Sequence, residues 1–159
     1  MATATADLCD VHASELTVLW PMLTSYGAKR AFEGVIATAK VHEENKIVRE
    51  ILTQNGTGKV LVVDGGGSLR SALIGDKIAQ LAIDSGWEGV VVNGCIRDSA
   101  AIRNMPVGLF ALGTNPTRPA KNGFGQRDLA VSFGGAKFVP GEYLYADEDG
   151  IVVAKARFG

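Results

Sequence analysis

The amino-acid sequence predicts a mixed α/β domain, and two observations carry this prediction. The apolar runs at residues 59–63 and 89–92 flank a segment of helical periodicity, which is typical of parallel strands joined by a crossover helix. After residue 128 the apolar runs are short and separated by glycine turns, which is typical of antiparallel hairpins. This combination favours a mixed α/β domain over a doubly wound sheet. A chain of 159 residues is expected to form a single domain, residues 1–159, that buries about 70% of its unfolded surface.

The first third of the chain predicts two helices and a strand. A short helix is expected to begin near Thr5, with Thr5 or Asp7 as its N-cap. Residues 34–40 alternate as a strand does. Residues 43–54 place apolar side chains on one face and charged side chains on the other, which predicts an amphipathic helix packed on the sheet.

The central crossover unit begins with the sequence KVLVV at residues 59–63, which ends in Asp64 and three glycines. Residues 76–85 then carry apolar side chains at helical spacing, and Gly86 is the expected C-terminal end of that helix. The second strand, residues 89–92, is expected to end in a loop with the sequence NGCIRD at residues 93–98.

The remainder of the chain predicts short elements. Residues 99–104 are expected to form one or two helical turns, and residues 107–112 a strand. The loop at residues 115–125 carries Arg118 and Lys121, which either form an ordinary solvated surface or help to admit an anionic substrate. Two hairpins are expected after it, one around the glycine pair at residues 134–135 and one around residues 147–150.

Composition limits the classes of function. Sixteen basic and seventeen acidic residues give a net charge of −1, so bulk charge does not indicate nucleic-acid or membrane binding. Two cysteines, Cys9 and Cys95, are too few for a disulfide scaffold, which fits a reducing compartment. No apolar run approaches the roughly 20 residues of a membrane span, and the start MATATA lacks the features of a secretory signal. A cytoplasmic location is therefore expected.

The segments around Gly75 and Arg97 are the strongest candidates for a functional site. In a parallel crossover unit, the strand ends and the start of the connecting helix lie at one edge of the sheet, so Gly75-Asp76 and Arg97-Asp98 are expected to lie close together. Free N–H groups at a helix start and a guanidinium both bind oxyanions, and Asp carboxylates are ligands of magnesium or manganese. The alternative is structural: Asp76 caps the helix, and Arg97 and Asp98 form an ion pair in a loop.

The stretches VLVVDGGGSLRSALIGDKIAQLA and GWEGVVVNGCIRD resemble the family of the regulator of ribonuclease E activity A (RraA) and the related 4-hydroxy-4-methyl-2-oxoglutarate (HMG) aldolases. The resemblance extends over nearly the whole chain, and its specific part is the spacing of Asp76, Arg97 and Asp98. It implies a β/β/α sandwich similar to the phosphohistidine swivelling domain, assembled as a homotrimer or as a pair of trimers.

The resemblance also implies a class II aldolase that requires Mg²⁺ or Mn²⁺, cleaves HMG to pyruvate and decarboxylates oxaloacetate through a shared pyruvate enolate. Arg97 and Asp76 are expected to be catalytic residues, and Asp98 the metal ligand. The substrate 2-oxo acid is expected to contact Arg97 and the backbone amides at the helix start, which belong to Gly75, Asp76, Lys77 and Ile78.

Three alternatives compete with this hypothesis. As the family name implies, the protein could be a non-catalytic regulator that binds and inhibits ribonuclease E. The glycines at residues 65–67 could instead form the cofactor loop of an S-adenosylmethionine methyltransferase, but the next strand ends in Asn93 where an acidic ribose ligand is expected. Cys95 could be a nucleophile, but only His12 and His42 could activate it and both are distant in sequence.

Overall fold

A computed structural model describes residues 3–120 and 124–159. The helices are α1 (Thr5–His12), α2 (Lys46–Leu52), α3 (Asp76–Asp84) and α4 (Ser99–Ile102), and a 3₁₀ turn covers Ala13–Glu15. The strands are β1 (Leu16–Val18), β2 (Thr24–Ser25), β3 (Phe32–Val41), β4 (Lys59–Asp64), β5 (Ala72–Ile74), β6 (Gly89–Ile96), β7 (Leu109–Thr114), β8 (Gly125–Arg127), β9 (Val131–Phe133), β10 (Ala136–Phe138), β11 (Tyr143–Asp147) and β12 (Gly150–Ala154). In the part of the chain that the structure describes, no helix is long and apolar enough to cross a bilayer.

Ten of the described strands form one sheet whose centre is parallel. The order is β1-β12-β11-β3-β4-β6-β7-β2, with β5 beside β6 and β8 beside β3. The neighbours β3, β4, β6 and β7 pair in parallel, and β5 also runs parallel to β6. The strands β9 and β10 form a separate antiparallel pair. Because β4 and β6 are parallel and flank α3 in sequence, the predicted crossover unit is confirmed.

Strand β4 shows how the layers are arranged. Val60 and Val62 belong to one core cluster, which also contains side chains of β9 to β12. Leu61 and Val63 belong to a second cluster, which contains side chains of α2, α3 and α4. Because both faces of this strand are covered, both carry apolar side chains, and burial of each stabilises the fold by about 1.5–3 kcal/mol. The parallel centre of the sheet therefore lies between a helical layer and a β layer made by the β9–β10 pair and by the β11–β12 end of the same sheet. The predicted α/β fold, a β/β/α sandwich, is confirmed.

The second strand of the crossover is longer than predicted. Residues 93–96 were expected to be a loop, but they continue β6. Asn93 is buried there, and its Nδ2 donates a hydrogen bond to Asp64 Oδ1 at 3.0 Å, so the strand tolerates a polar side chain. The short strand β5, which no sequence pattern predicted, pairs with this extension at Cys95 and Ile96.

Helix α2 is shorter than the helix predicted over residues 43–54. Glu43 has φ of 53°, in the left-handed region, so the helix cannot begin there. Glu44 is buried, and its Oε1 accepts hydrogen bonds from the N–H groups of Asn45 at 3.1 Å and Lys46 at 2.8 Å. This carboxylate therefore satisfies donors at the helix start that would otherwise lack partners.

Helix α1 begins without the side-chain cap that the sequence predicted at Thr5 or Asp7. Ala4 is the N-cap residue and forms no side-chain cap hydrogen bond. Thr5 instead donates its N–H and its hydroxyl to the two carboxylate oxygens of Asp147, at 2.8 and 2.7 Å. Burial would raise the pKa of Asp147, but hydrogen bonds from Thr5 and from N–H groups of its own turn hold it below its usual value.

The two predicted hairpins are present. Gly134 and Gly135 join β9 to β10 with φ of 59° and 75°, which is the left-handed backbone that a two-residue turn requires and that glycine adopts without strain. Strands β11 and β12 pair from Tyr143 with Ala154 to Asp147 with Gly150.

Candidate active site

The start of α3 and the end of β6 meet at one edge of the sheet. Gly75 is the N-cap residue of α3, and Arg97 and Asp98 follow β6 directly. The N–H of Arg97 donates to the carbonyl oxygen of Ile74 at 2.9 Å, which joins the two segments. They border a cavity of about 500 Å³. All six residues that the sequence assigned to the site line this cavity: Gly75, Asp76, Lys77, Ile78, Arg97 and Asp98.

Asp98 is fixed against the start of the helix. Its Oδ2 accepts a hydrogen bond from the N–H of Asp76 at 3.0 Å. Its backbone has φ of 58° and ψ of 35°, the left-handed conformation that Asp and Asn adopt more readily than other non-glycine residues. The backbone thus turns sharply after β6 and directs the carboxylate toward α3.

Gly75 permits this close approach. Its φ of −116° is accessible to any residue, so glycine is not required there by the backbone conformation. A Cβ atom added at this position would lie 2.7 Å from Asp98 Oδ2 and 3.5 Å from Arg97 Cγ and Nε. A larger residue would therefore have to displace the Asp98 carboxylate.

The backbone amides at the helix start are only partly available to a ligand. The N–H of Asp76, which the sequence assigned to the substrate, donates instead to Asp98. Among the residues that the structure describes, none accepts a hydrogen bond from the N–H of Gly75, or from those of Lys77 and Ile78 in the first turn of α3. The two donors in the first turn lie at the positive end of the helix dipole and remain open to an anion.

Arg97 has free hydrogen-bonding capacity. Its Nη1 lies 3.4 Å from the carbonyl oxygen of Pro116, a long contact for a guanidinium. Within residues 3–120 and 124–159, no carboxylate lies within 4 Å of its nitrogen atoms, so the loop ion pair with Asp98 that the structural alternative required is not formed. A guanidinium with unused donors beside two free amides can bind an oxyanion.

The carboxylates of Asp76 and Asp98 are oxygen ligands of the kind that a hard divalent cation binds. Asp98 is exposed, and its Oδ1 accepts no hydrogen bond from the described residues. Over the described ranges, no group of three or more His, Cys, Asp or Glu side chains could hold a metal ion by itself. A cation at Asp98 would therefore take its other oxygens from water and substrate, a coordination that Mg²⁺ prefers.

The glycine loop at the end of β4 (residues 64–68) uses its amides internally. The N–H groups of Gly65 and Gly67 donate to the carbonyl oxygen of Asn93 at 3.0 and 3.2 Å, and that of Gly66 donates to Asp64 Oδ1 at 2.9 Å. These donors are not available to a cofactor phosphate or carboxylate in this conformation. This geometry does not support the methyltransferase alternative.

Cys95 does not have the surroundings of a nucleophile. It is 2% exposed in the middle of the sheet, and burial raises the pKa of its thiol. Since the thiolate is the reactive form, the structure favours a packing role for this side chain.

Residues outside the predicted set also line the cavity, among them Asn45, Arg49 and Arg118. Arg118 belongs to the basic loop at residues 115–125, for which the sequence left open a role in admitting an anionic substrate. Lys121 of the same loop lies outside the described residues. Asn45 and Arg49 were not predicted. The topology could have indicated them. Because β3 is parallel to β4 and β6, the segment that follows β3 must emerge at the same edge of the sheet.

Comparison with known proteins identifies the family. The model of the RraA-like family, described as aldolase/RraA, matches residues 5–153. A protein of Aromatoleum aromaticum that bears the name "putative 4-hydroxy-4-methyl-2-oxoglutarate aldolase" is 53% identical over 156 residues, which cover 98% of each chain. The chain belongs to the RraA-like family. The resemblance that the sequence stretches indicated is confirmed.

Two solved structures of similar chains carry other names. A structure described as an S-adenosylmethionine:2-dimethylmenaquinone methyltransferase from Geobacillus kaustophilus has 51% identity and a TM-score of 0.96, covering 98% of this chain and 97% of that one. The RNA-processing inhibitor RraA from Thermus thermophilis has 41% identity and a TM-score of 0.95, covering 100% and 96%. Three different functions are thus named among chains of the same fold, so the function must be argued from the site.

Proposed function

We propose that this member of the RraA-like family is a divalent-cation-dependent lyase that cleaves 2-oxo acids to pyruvate. The substrates would be HMG, by retro-aldol cleavage, and oxaloacetate, by decarboxylation. One observation carries the proposal: a single cavity is lined by an arginine, by two aspartates and by Lys77 and Ile78, whose first-turn amides no described residue uses. The names of the aldolase relatives support the same class of reaction.

The 2-oxo acid end of the substrate would bind at the start of α3. Its carboxylate would accept hydrogen bonds from the N–H groups of Lys77 and Ile78, and the helix dipole favours a negative charge there. The guanidinium of Arg97 would donate to the 2-keto oxygen. Cleavage of the C3–C4 bond places negative charge on this oxygen, so the hydrogen bond strengthens as the reaction proceeds.

Both reactions would then share one half of the site. In HMG cleavage the 4-hydroxyl loses its proton while the C3–C4 bond breaks, and one pyruvate leaves as the ketone product. In oxaloacetate decarboxylation the same bond breaks and releases CO₂, and no proton leaves the departing group. In each case a proton is finally added to C3 of the pyruvate enolate. The proposed acid–base group is Asp76. This residue lines the cavity, and its carboxylate forms no hydrogen bond with any described residue.

Asp98 would hold the divalent cation, Mg²⁺ or Mn²⁺. When bound, such a cation supplies further electrostatic stabilisation of the charge that develops on the keto oxygen. Asp98 would keep its hydrogen bond to the Asp76 amide through Oδ2 and present Oδ1 to the cavity.

The test is pyruvate release from HMG and from oxaloacetate, with Mg²⁺ or Mn²⁺ and then with a chelator. Asp98→Asn is the most informative variant, because asparagine tolerates the left-handed backbone and only the charge is lost. We expect kcat to fall about 100-fold or more for both substrates in Asp98→Asn and in Arg97→Ala, with unchanged circular dichroism. Release no faster than the uncatalysed rate by the wild-type protein would refute the lyase proposal for these substrates.

A second candidate function is inhibition of ribonuclease E by a non-catalytic mechanism. Its support is the likeness to the Thermus RNA-processing inhibitor over the full length of the chain. Cleavage of an RNA substrate by purified ribonuclease E, with and without this protein, tests it directly. Asp98→Asn separates the two functions, because a surface-mediated inhibitor would retain its effect in this variant.

The assembly and location also remain proposals. We expect a homotrimer or a pair of trimers in the cytoplasm, and light scattering of the purified protein would determine the assembly.

A further inference from the structure

The charge of the cavity differs from that of the whole chain. Four cationic side chains and two carboxylates line it, a local net charge of +2, whereas the chain as a whole carries −1. The cations are Arg49, Lys77, Arg97 and Arg118. In the proposed orientation, the 2-oxo acid end of the substrate would engage Arg97 and the amides of α3, which would leave the other cations without a function in that half of the site.

Arg49 and Arg118 come from elements that the 2-oxo acid half does not use. Arg49 lies on α2, and Arg118 lies in the loop after β7. Neither side chain forms a hydrogen bond or an ion pair with any residue that the structure describes. In contrast, Arg70 and Arg127, which lie elsewhere, each donate hydrogen bonds to a side chain, at 2.7–3.0 Å. The guanidinium groups of Arg49 and Arg118 therefore carry side-chain donors that no described residue uses.

We infer that Arg49, with Arg118 in the lining of the same cavity, binds a second carboxylate of the substrate and so selects dicarboxylic over monocarboxylic 2-oxo acids. This inference rests on the proposed function for the orientation of the substrate. A guanidinium presents paired donors that match a carboxylate, and α2 is packed into the core through Val48, Ile51 and Leu52, so Arg49 is held on a fixed element. The loop that carries Arg118 is anchored by the hydrogen bond from the N–H of Ala72 to the carbonyl oxygen of Thr117 at 2.9 Å.

The two reactions make different demands on this contact. In HMG cleavage the distal carboxylate keeps its charge throughout, so Arg49 would bind the ground state and the transition state equally and would lower KM. In oxaloacetate decarboxylation the distal carboxylate becomes neutral CO₂. An arginine that pairs with it stabilises the ground state more than the transition state, so its loss would raise KM while kcat stays constant or increases.

The experiment compares Arg49→Gln with wild type on a matched pair of substrates. HMG carries the distal carboxylate, and 4-hydroxy-4-methyl-2-oxopentanoate, which would yield pyruvate and acetone, carries a methyl group in its place. We expect kcat/KM for HMG to fall about tenfold or more, because a hydrogen bond to a charged group is lost, and kcat/KM for the monocarboxylate to change less than about twofold. Arg49→Lys should recover part of the preference. Lys46→Gln is the control, because Lys46 is an exposed cation on the same helix outside the cavity lining.

Binding of unreactive probes separates this inference from the proposed function. Calorimetric titration with 2-oxoglutarate and with 2-oxobutyrate, in the presence of Mg²⁺, requires no turnover. Tighter binding of 2-oxoglutarate by wild type, with the preference reduced about tenfold in Arg49→Gln, supports the inference even if no pyruvate is released from HMG. Equal binding of the two probes, or an equal loss of activity on both substrates in Arg49→Gln, would overturn it.

Discussion

Two segments that contain glycine, the glycine loop and the start of α3, lie at the same edge of the sheet, and they differ in what their backbone N–H groups contact. In the glycine loop, the N–H groups of Gly65, Gly66 and Gly67 donate to Asp64 and Asn93 within the protein. In the first turn of α3, the N–H groups of Lys77 and Ile78 have no acceptor among the described residues and border a cavity. The more conspicuous glycine motif is thus internally satisfied, and the less conspicuous one is open. Glycine content alone does not locate a ligand site, because the fate of each donor decides it.

The largest effect that would sharpen this comparison is expected from Gly75→Ala. The new Cβ would lie 2.7 Å from Asp98 Oδ2, and the end of that side chain can move, so the carboxylate is displaced while the fold is kept. We expect lyase activity to fall about 10- to 100-fold with a melting temperature close to that of wild type, measured by pyruvate release and thermal unfolding.

Gly113→Ala is the control for this substitution. Gly113 lies on β7, and a Cβ atom there would meet no atom within 4 Å. Equal losses of activity in the two variants would show that the contact between Gly75 and Asp98 is not specific to the site.

A smaller effect, on stability rather than activity, is expected from Asp64→Ala in the glycine loop. This change leaves the N–H of Gly66 and the buried amide of Asn93 without their shared acceptor, which should cost about 1–3 kcal/mol of unfolding free energy. Urea denaturation measures it, with Asp10→Ala, at an exposed position on α1, as the control. A loss of activity at unchanged stability would contradict the structural role and restore the glycine loop as a candidate site.

The smallest effect is expected from Thr5→Val, far from both segments. The folded pKa of Asp147 is lowered, so its contribution to stability is present above the ordinary carboxyl pKa of about 4 and is lost as pH falls through the lower folded value. Thr5→Val removes one of the hydrogen bonds that favour the ionised carboxylate, and we expect a cost of about 1 kcal/mol at pH 7. Unfolding measured from pH 7 to pH 2 should show this difference shrinking in acid; a constant difference would show that Asp147 is not responsible.

The parts of the fold that the sequence predicted are those with a strong local pattern. Strand β4 is a continuous apolar run, helix α3 has apolar side chains at helical spacing, and the glycine pair at Gly134 allows few conformations other than a turn. The strands β1, β2 and β5 have only two or three residues, too few for a period to be recognised. Their pairing partners, which are distant in sequence, determine them.

The errors at β6 and α2 have a common physical cause. Asn93 is polar and precedes a glycine, so the local pattern favours a loop, but the hydrogen bond to Asp64 allows the strand to continue. Glu44 resembles an ordinary first-turn residue, but it is buried and caps a helix that begins later. In both cases a side-chain hydrogen bond overrides the propensity that the sequence displays.

The sequence predicted which residues line the candidate site better than it predicted the hydrogen bonds between them. All six assigned residues line one cavity, because the parallel crossover brings strand ends together. The hydrogen bond from the Asp76 amide to Asp98 could not be predicted, since it depends on the left-handed backbone at Asp98. Arg49 was not included because it was considered only as part of the outward face of a helix.

Strand β6 is buried at every one of its eight positions, and Arg97 and Asp98 follow it immediately. Such a strand opens only when much of the domain unfolds, so its amide protons should be among the slowest to exchange with solvent. The cavity is therefore attached to the part of the chain that fluctuates least. A ligand that binds there would find the strand end already ordered, and little of its binding free energy would be spent on ordering the backbone.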